Sequence, residues 1–172
     1  MPNVRYDNGV NEELLAARDC YITEASDSTN LYADLITLTV LDLNTPATEN
    51  SRCFIGATEA VFISQQAAYL ATSQYNYSTG VDGMLTYDNG YQTGIHKFLL
   101  QGATATYQGS EQVEGHLGWD QDKKSFRMGE QGEQLVVVTS LESTWDSMET
   151  TKLTIIKDDP QNGFATINML PN

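Results

Sequence analysis

Apolar and polar positions alternate in short runs along most of the chain, and the runs are separated by clusters of Gly, Asn, Asp and Ser. A period of two belongs to strands, whose successive side chains point to opposite faces. The run DLITLTVLDL, residues 34–43, is rich in β-branched and aliphatic residues and stops at Asn44-Thr45-Pro46, where proline cannot continue a ladder. CFIG follows, then EAVFIS at 59–64 and AAYLATSQY at 67–75, these two separated only by Gln65 and Gln66. Such spacing predicts a meander of short antiparallel strands. GIHKFLLQ, ATATYQGSEQVEGHLG, KSFRMGEQ, EQLVVVTSLE, TKLTIIKDD and GFATINML read as strands in turn. Helical signal is confined to NEELLAARD, residues 11–19, where an Asn cap, early acidic residues and Leu14 and Leu15 support two turns.

The stretch NYSTGVDGMLTYDNGYQT, residues 76–93, breaks the pattern with glycines and polar turn residues, and it predicts a long loop outside the core. Tyr75, Tyr77, Tyr87 and Tyr91 gather there beside Asp82 and Asp88. Tyrosine offers contact area with a polar tip, so this is the expected recognition loop, against the plainer reading of a loop folded back on its own sheet.

The strands recur in blocks of four. EAVFIS, AAYLATSQY, GIHKFLLQ and ATATYQGSEQVEGHLG make one block, and KSFRMGEQ, EQLVVVTSLE, TKLTIIKDD and GFATINML make the next. A period of ~40–50 residues is that of propeller blades. Each block opens on a strand with an aromatic (Phe62, Phe126), continues through an aliphatic run ending in Thr-Ser (Thr72-Ser73, Thr139-Ser140), and then has a strand exposing a basic residue (Lys97, Lys152). A partial block precedes them, with LITLTVLDL as third strand and SRCFIGA as fourth.

On LTVLDLNTP, GATEAVFISQQAAYLATSQYNY, TGIHKFLLQGATATYQGSEQVEGHLGWDQDKKSFRMGEQGEQLVVVTSLE and TKLTIIK, the chain resembles the bacterial and archaeal secreted C-terminal β-propeller domain family, distant relatives of WD40 repeats. The resemblance covers most of Leu35 to Leu170. It implies an all-β fold of antiparallel four-stranded meander blades, about two to three of them, after a short N-terminal helical or irregular segment. The expected division is 1–33 for that segment with part of a first blade, 34–58 for its remainder, 59–118 for a blade carrying the loop 76–93, and 119–172 for the next, all in one structural domain. Family members are longer, exported and often lipoproteins, so the chain reads as a fragment whose signal or lipid anchor lies elsewhere. Trp119-Asp120 and Trp145-Asp146 sit in turn-like contexts, and both tryptophans read as local packing residues rather than as a repeating blade signature.

Composition narrows the partners. The 23 acidic against 9 basic side chains give a net charge of −14, a field that repels phosphate backbones, so nucleic acid is not expected. No apolar run is long enough for a transmembrane helix, and direct membrane insertion of this chain is not expected either. Low lysine with abundant Thr, Ser, Gln, Asn and Tyr points to export, to the periplasm, cell envelope or extracellular space. Cys20 and Cys53 lie in no C-x-x-C motif and are left as two structural thiols or a disulfide.

Candidate chemistry is sparse. The only histidines, His96 and His116, share one segment. With a turn at Gly102-Ala103, paired residue numbers sum to about 205, so His96 opposes about Gly109 and the two rings stay apart as ordinary strand residues. Asp120-Gln121-Asp122 and Asp158-Asp159 lack an EF-hand course and read as solvated turns, and no G-x-S-x-G elbow or phosphate loop is present. No catalytic, cofactor-binding or metal residue is named and no cofactor is expected. The expected function is a non-enzymatic exported module binding a protein or glycan. The alternative is part of a propeller hydrolase or lyase whose catalytic residues lie mostly in missing blades. Self-association through exposed blade edges is expected for such a fragment.

Overall fold

The computed structural model describes residues 3–5, 7, 9–13, 15–22, 34–45, 49–79, 85–141, 150–160 and 163–171. Its strands are β1 (Asn3–Arg5), β2 (Asn11–Glu13), β3 (Cys20–Ile22), β4 (Asp34–Leu41), β5 (Glu49–Gly56), β6 (Thr58–Ile63), β7 (Ala67–Thr79), β8 (Leu85–Gln101), β9 (Thr104–Glu114), β10 (Met128–Gln131), β11 (Gln134–Leu141), β12 (Thr150–Asp159) and β13 (Gly163–Pro171). The chain divides into two compact units, Met1–Ala57 with the hairpin tip Leu99–Thr106, and Thr58–Phe98 with Tyr107–Asn172. Among the described residues no helix is long and apolar enough to cross a membrane.

In the first unit β4 and β5 pair antiparallel, while β3 lies parallel to β5 on its other side. The SRCFIGA strand is therefore central to its sheet rather than an outer fourth strand. Register places Cys20 directly opposite Cys53, and a disulfide joins them across a Cα–Cα distance of 4.3 Å. β4 ends where Asp42 accepts from the Asn44 amide and the Thr45 hydroxyl, the turn expected ahead of Pro46. The helix expected over 11–19 does not form: Asn11–Glu13 is β2, paired with β1, and only Ala17–Asp19 winds into a 3-10 turn. So short an isolated helix is marginal, and Leu15 is buried at the start of that turn instead.

The second unit holds two four-stranded antiparallel meanders, β6-β7-β8-β9 and β10-β11-β12-β13, which are the two blocks read from the sequence. Their facing surfaces form one core. Tyr69, Ala71, Ile95, Val113 and Leu117 of the first sheet and its C-terminal continuation pack with Met128, Leu135, Val137, Ile156 and Phe164 of the second. Alternation explains which residues meet: Leu135 opposes Ile156 across β11 and β12, while their neighbours Val136 and Ile155 oppose each other on the far face. β7 is buried on both faces from Ala67 to Thr72, as expected of a strand covered from both sides. β11 instead alternates, and Val136, Val138, Leu153 and Ile155 stay half-buried beside Leu170, which is exposed.

Three local readings change. Residues 76–93 are not a loop excluded from the sheet: β7 runs on to Thr79 and β8 begins at Leu85, so most of the stretch is extended strand. KSFRM is not a strand but the end of a 3-10 helix, Gln121–Arg127, and β10 starts only at Met128. Asp120 explains this, accepting from the Asp122 amide with its side chain and from the Lys123 amide with its carbonyl. Lys97 and Lys152 are not exposed basic residues either: their side chains are 5% and 15% exposed, and each reaches a carboxylate, Asp158 and Glu114 respectively.

Candidate functional site

The polypeptide between the two meanders, Gly115 to Arg127, is built by closely set backbone contacts. Gly115 leaves β9 with φ +95°, and a Cβ there would lie 2.6 Å from the Ser140 carbonyl oxygen, so glycine is required on two counts. Its amide donates to the Tyr91 carbonyl at 2.6 Å, and its own carbonyl accepts from Thr93 Oγ1 at 2.8 Å. His116 then exchanges both backbone hydrogen bonds with Ser140, at 3.0 and 2.9 Å, tying the end of the first meander to β11. Gly118, at φ +86°, donates its amide to His116 Nδ1 at 3.0 Å. That bond makes Nδ1 an acceptor, so the neutral ring carries its proton on Nε2.

These turns place three rings together. His116 is buried, with its ring centroid 4.4 Å from that of Trp119 at an interplanar angle of 37°. Tyr91 meets Trp119 edge-on, 5.4 Å away at 81°, and lies 5.2 Å from His116. Trp119 itself remains 65% exposed. It packs locally, as the sequence suggests, but presents most of its surface to solvent. An indole pinned by two rings yet open to water is preorganised for contact, because little side-chain freedom remains to be lost on binding.

The following 3-10 helix is held down through Glu59. Its carboxylate receives Lys124 Nζ at 2.7 Å and the Ser73 hydroxyl at 2.5 Å, while Gln121 Nε2 donates to the Glu59 carbonyl at 2.8 Å. The Glu59 and Lys124 side chains are 7% and 13% exposed, so each charge depends on the other. Arg127 closes the segment, donating to Ser140 Oγ at 2.8 Å while its guanidinium lies against Gly118. Phe126, expected inside a strand, is 84% exposed on this helix.

The recognition residues named from the sequence fall in several places. Tyr75 and Tyr77 lie in β7 and Tyr87 and Asp88 in β8. Pairing with β6 stops at Thr58↔Thr72, and β9 ends at Glu114, whose successor Gly115 bonds Tyr91 of β8, so residues 73–79 and 85–90 of the neighbouring strands β7 and β8 continue past β6 and β9 as a two-stranded arm. Asp82 lies outside the described residues, as does Trp145-Asp146. Tyr91 is at the root of the arm and joins the ring cluster. His116 and Trp119 were missed as members of this cluster. The signal that could have found them is the run Gly115-His116-Leu117-Gly118-Trp119, where a glycine precedes each ring residue.

The second histidine does separate work. His96 is buried in β8 with Nε2 3.1 Å from Thr72 Oγ1, and burial pushes its pKa down to about 4. The turn between β8 and β9 does fall at Gly102-Ala103, and the Gly115-to-Tyr91 bond gives a residue sum close to the expected register. The histidines thus serve different partners. Lys97 is caged as well, its Nζ 2.8 Å from Asp158 Oδ2 and 5.8 and 5.4 Å from the ring centroids of Tyr69 and Phe164. Tyr69 donates to Glu130 Oε1 at 2.7 Å, and burial together with Glu130 holds its phenol well above the usual range. Among the described residues, no three His, Cys, Asp or Glu side chains are grouped to hold a metal ion.

Neither the curated proteins nor the solved structures compared with the chain contain a match. The family model for the beta propeller domain matches residues 1–170. With its successive four-stranded meanders packed face to face, the chain belongs to the beta propeller domain family.

Proposed function

We propose that the chain is a non-enzymatic propeller module of an exported or cell-envelope protein that binds a protein or glycan through the β7–β8 arm and the ring cluster at its root. The observation that carries this reading is Trp119, locked by His116 and Tyr91 yet 65% exposed. Loops and connections at the ends of rigid sheets are where propellers place recognition. Export is supported by the Cys20–Cys53 disulfide, which belongs to an oxidising compartment, and by the net charge of −14. Self-association is supported by the half-buried aliphatic face of the last meander, Val136, Val138, Leu153 and Ile155, beside the outer strand β13.

A thermal-shift screen of the full chain against soluble glycans and fractionated envelope extracts tests the module reading. A ligand that binds the native state raises the midpoint in proportion to the logarithm of its concentration above Kd. The expected result is such a rise for wild type and a smaller one for Trp119→Ala. Equal rises in both proteins would remove the ring cluster from the binding surface.

A further inference from the structure

The geometry points to a neutral oligosaccharide as the ligand of the Trp119 surface, with a sugar ring stacked on the open indole face. This inference rests on the module reading and names the ligand class for the same site. The indole has one face set against His116, at 4.4 Å and 37°, and its edge against Tyr91, at 5.4 Å and 81°. With 65% of the residue in solvent, the indole keeps most of its surface uncovered beyond its contacts with His116 and Tyr91. The axial C–H groups of a pyranose match such a face, because its π cloud is negative and the sugar C–H edge is positive.

Other ligand classes fit less well. Tyr91 and His116 pack on Trp119 rather than encircling a space, so these three rings do not form an aromatic cage for an alkylammonium group. The net charge of −14 disfavours phosphorylated or uronic polymers. Next to Trp119 in sequence, the half-exposed Asp120 carboxylate accepts from the Asp122 amide at 3.2 Å and pairs with Lys123 Nζ at 2.7 Å, an acceptor available to sugar hydroxyls. A second exposed ring, Phe126, stands near the far end of the same 3-10 helix, Gln121–Arg127. At ~2 Å rise per residue that helix is roughly 14 Å long, so a ligand touching both rings has to be longer than a single sugar.

The test is calorimetric titration of the full chain with neutral hexasaccharides of glucose, N-acetylglucosamine and mannose, and in parallel with a Lys-rich and a Pro-rich peptide. At least one hexasaccharide is expected to bind, and Trp119→Ala to weaken its Kd by about tenfold or more while the free protein still unfolds cooperatively, its midpoint lowered only by the few degrees that two lost ring contacts cost. Trp119→Phe is expected to retain most of the affinity, and Phe126→Ser to weaken the hexasaccharide but not the matching disaccharide. A saccharide bound equally well by Trp119→Ala overturns the site. A peptide that binds through Trp119 while no saccharide does overturns the ligand class and leaves the module reading standing. Silence from every saccharide and peptide also overturns the ligand class. If no envelope fraction then shifts the wild-type midpoint, the module reading falls with it.

Discussion

Lys97 Nζ lies 2.8 Å from Asp158 Oδ2, joining β8 of one blade to β12 of the next across 61 positions of sequence. The two ends of this pair differ: the lysine side chain is 5% exposed and the aspartate 49%. Removing the buried charge leaves a carboxylate that water can solvate, whereas removing the carboxylate leaves an ammonium over two rings without its counter-charge. Asp158→Asn is therefore expected to destabilise by about 2–3 kcal/mol and Lys97→Met by about 1 kcal/mol. Urea denaturation of both variants checks the order, which a simple surface ion pair would not produce.

His96 sets an acid limit on stability. Its folded pKa is depressed to about 4 from 6.5 by burial, so the native state takes up its proton later than the unfolded chain. The contribution is complete above pH 6.5 and is lost as pH falls from there toward 4, by about 3 kcal/mol in all. His96→Gln is expected to remove this slope. Denaturation midpoints measured from pH 8 to pH 4.5 for both proteins read it directly, and parallel curves would contradict the assignment.

The disulfide closes a sequence separation of 33 residues between two adjacent parallel strands. Chain-entropy estimates for a loop of that size give about 3–4 kcal/mol. Reduction, or the pair Cys20→Ser with Cys53→Ser, is expected to lower the stability of the first unit by that order. Hydrogen exchange should show lost protection in β3, β4 and β5. Unchanged protection there would mean that the sheet is held without the crosslink.

The open face of the last meander predicts association. Leu153 and Leu170 are opposite each other across β12 and β13, and Leu170 is 54% exposed. Sedimentation of the wild-type chain should show a mass that rises with concentration, and Leu153→Lys with Leu170→Lys should hold it at the monomer. A wild-type monomer at every concentration would mean that this face is tolerated in water.

Much of the fold was legible because strand pattern and turn chemistry agreed. EAVFIS, AAYLATSQY, GIHKFLLQ and ATATYQGSEQVE, then EQLVVVTSLE, TKLTIIKDD and GFATINML, are short apolar-rich runs separated by polar or turn-forming residues, so both four-stranded blades could be read. Local pattern failed where distant partners decide. Residues 76–93 have loop composition, yet pairing of β7 with β8 keeps most of them extended. KSFRM carries strand-like residues, but the Asp120 cap and the Glu59–Lys124 pair wind the segment into a 3-10 helix. The exposed character of Lys97 was misread because its counter-charge and both covering rings lie in other strands.

For the site, Tyr91 was named from composition, but its meeting with His116 and Trp119 depends on the Gly115 and Gly118 turns. No strand period announces a ring cluster assembled from a strand and a bend, and the two glycines of Gly115-His116-Leu117-Gly118-Trp119 mark only the bend. The disulfide was open for the same reason, since the parallel placement of β3 on β5 that brings Cys20 opposite Cys53 is not a meander connection.

The most direct measurement is the indole Nε1–H resonance of Trp119, assigned with Trp119→Phe and followed while envelope glycans are titrated into the labelled full chain. A saturable shift of that resonance, tracking the thermal stabilisation and absent for resonances of the Lys97–Asp158 region, is the predicted result. Ligand-induced stabilisation with the Trp119 resonance unmoved would contradict the placement of recognition at the root of the arm.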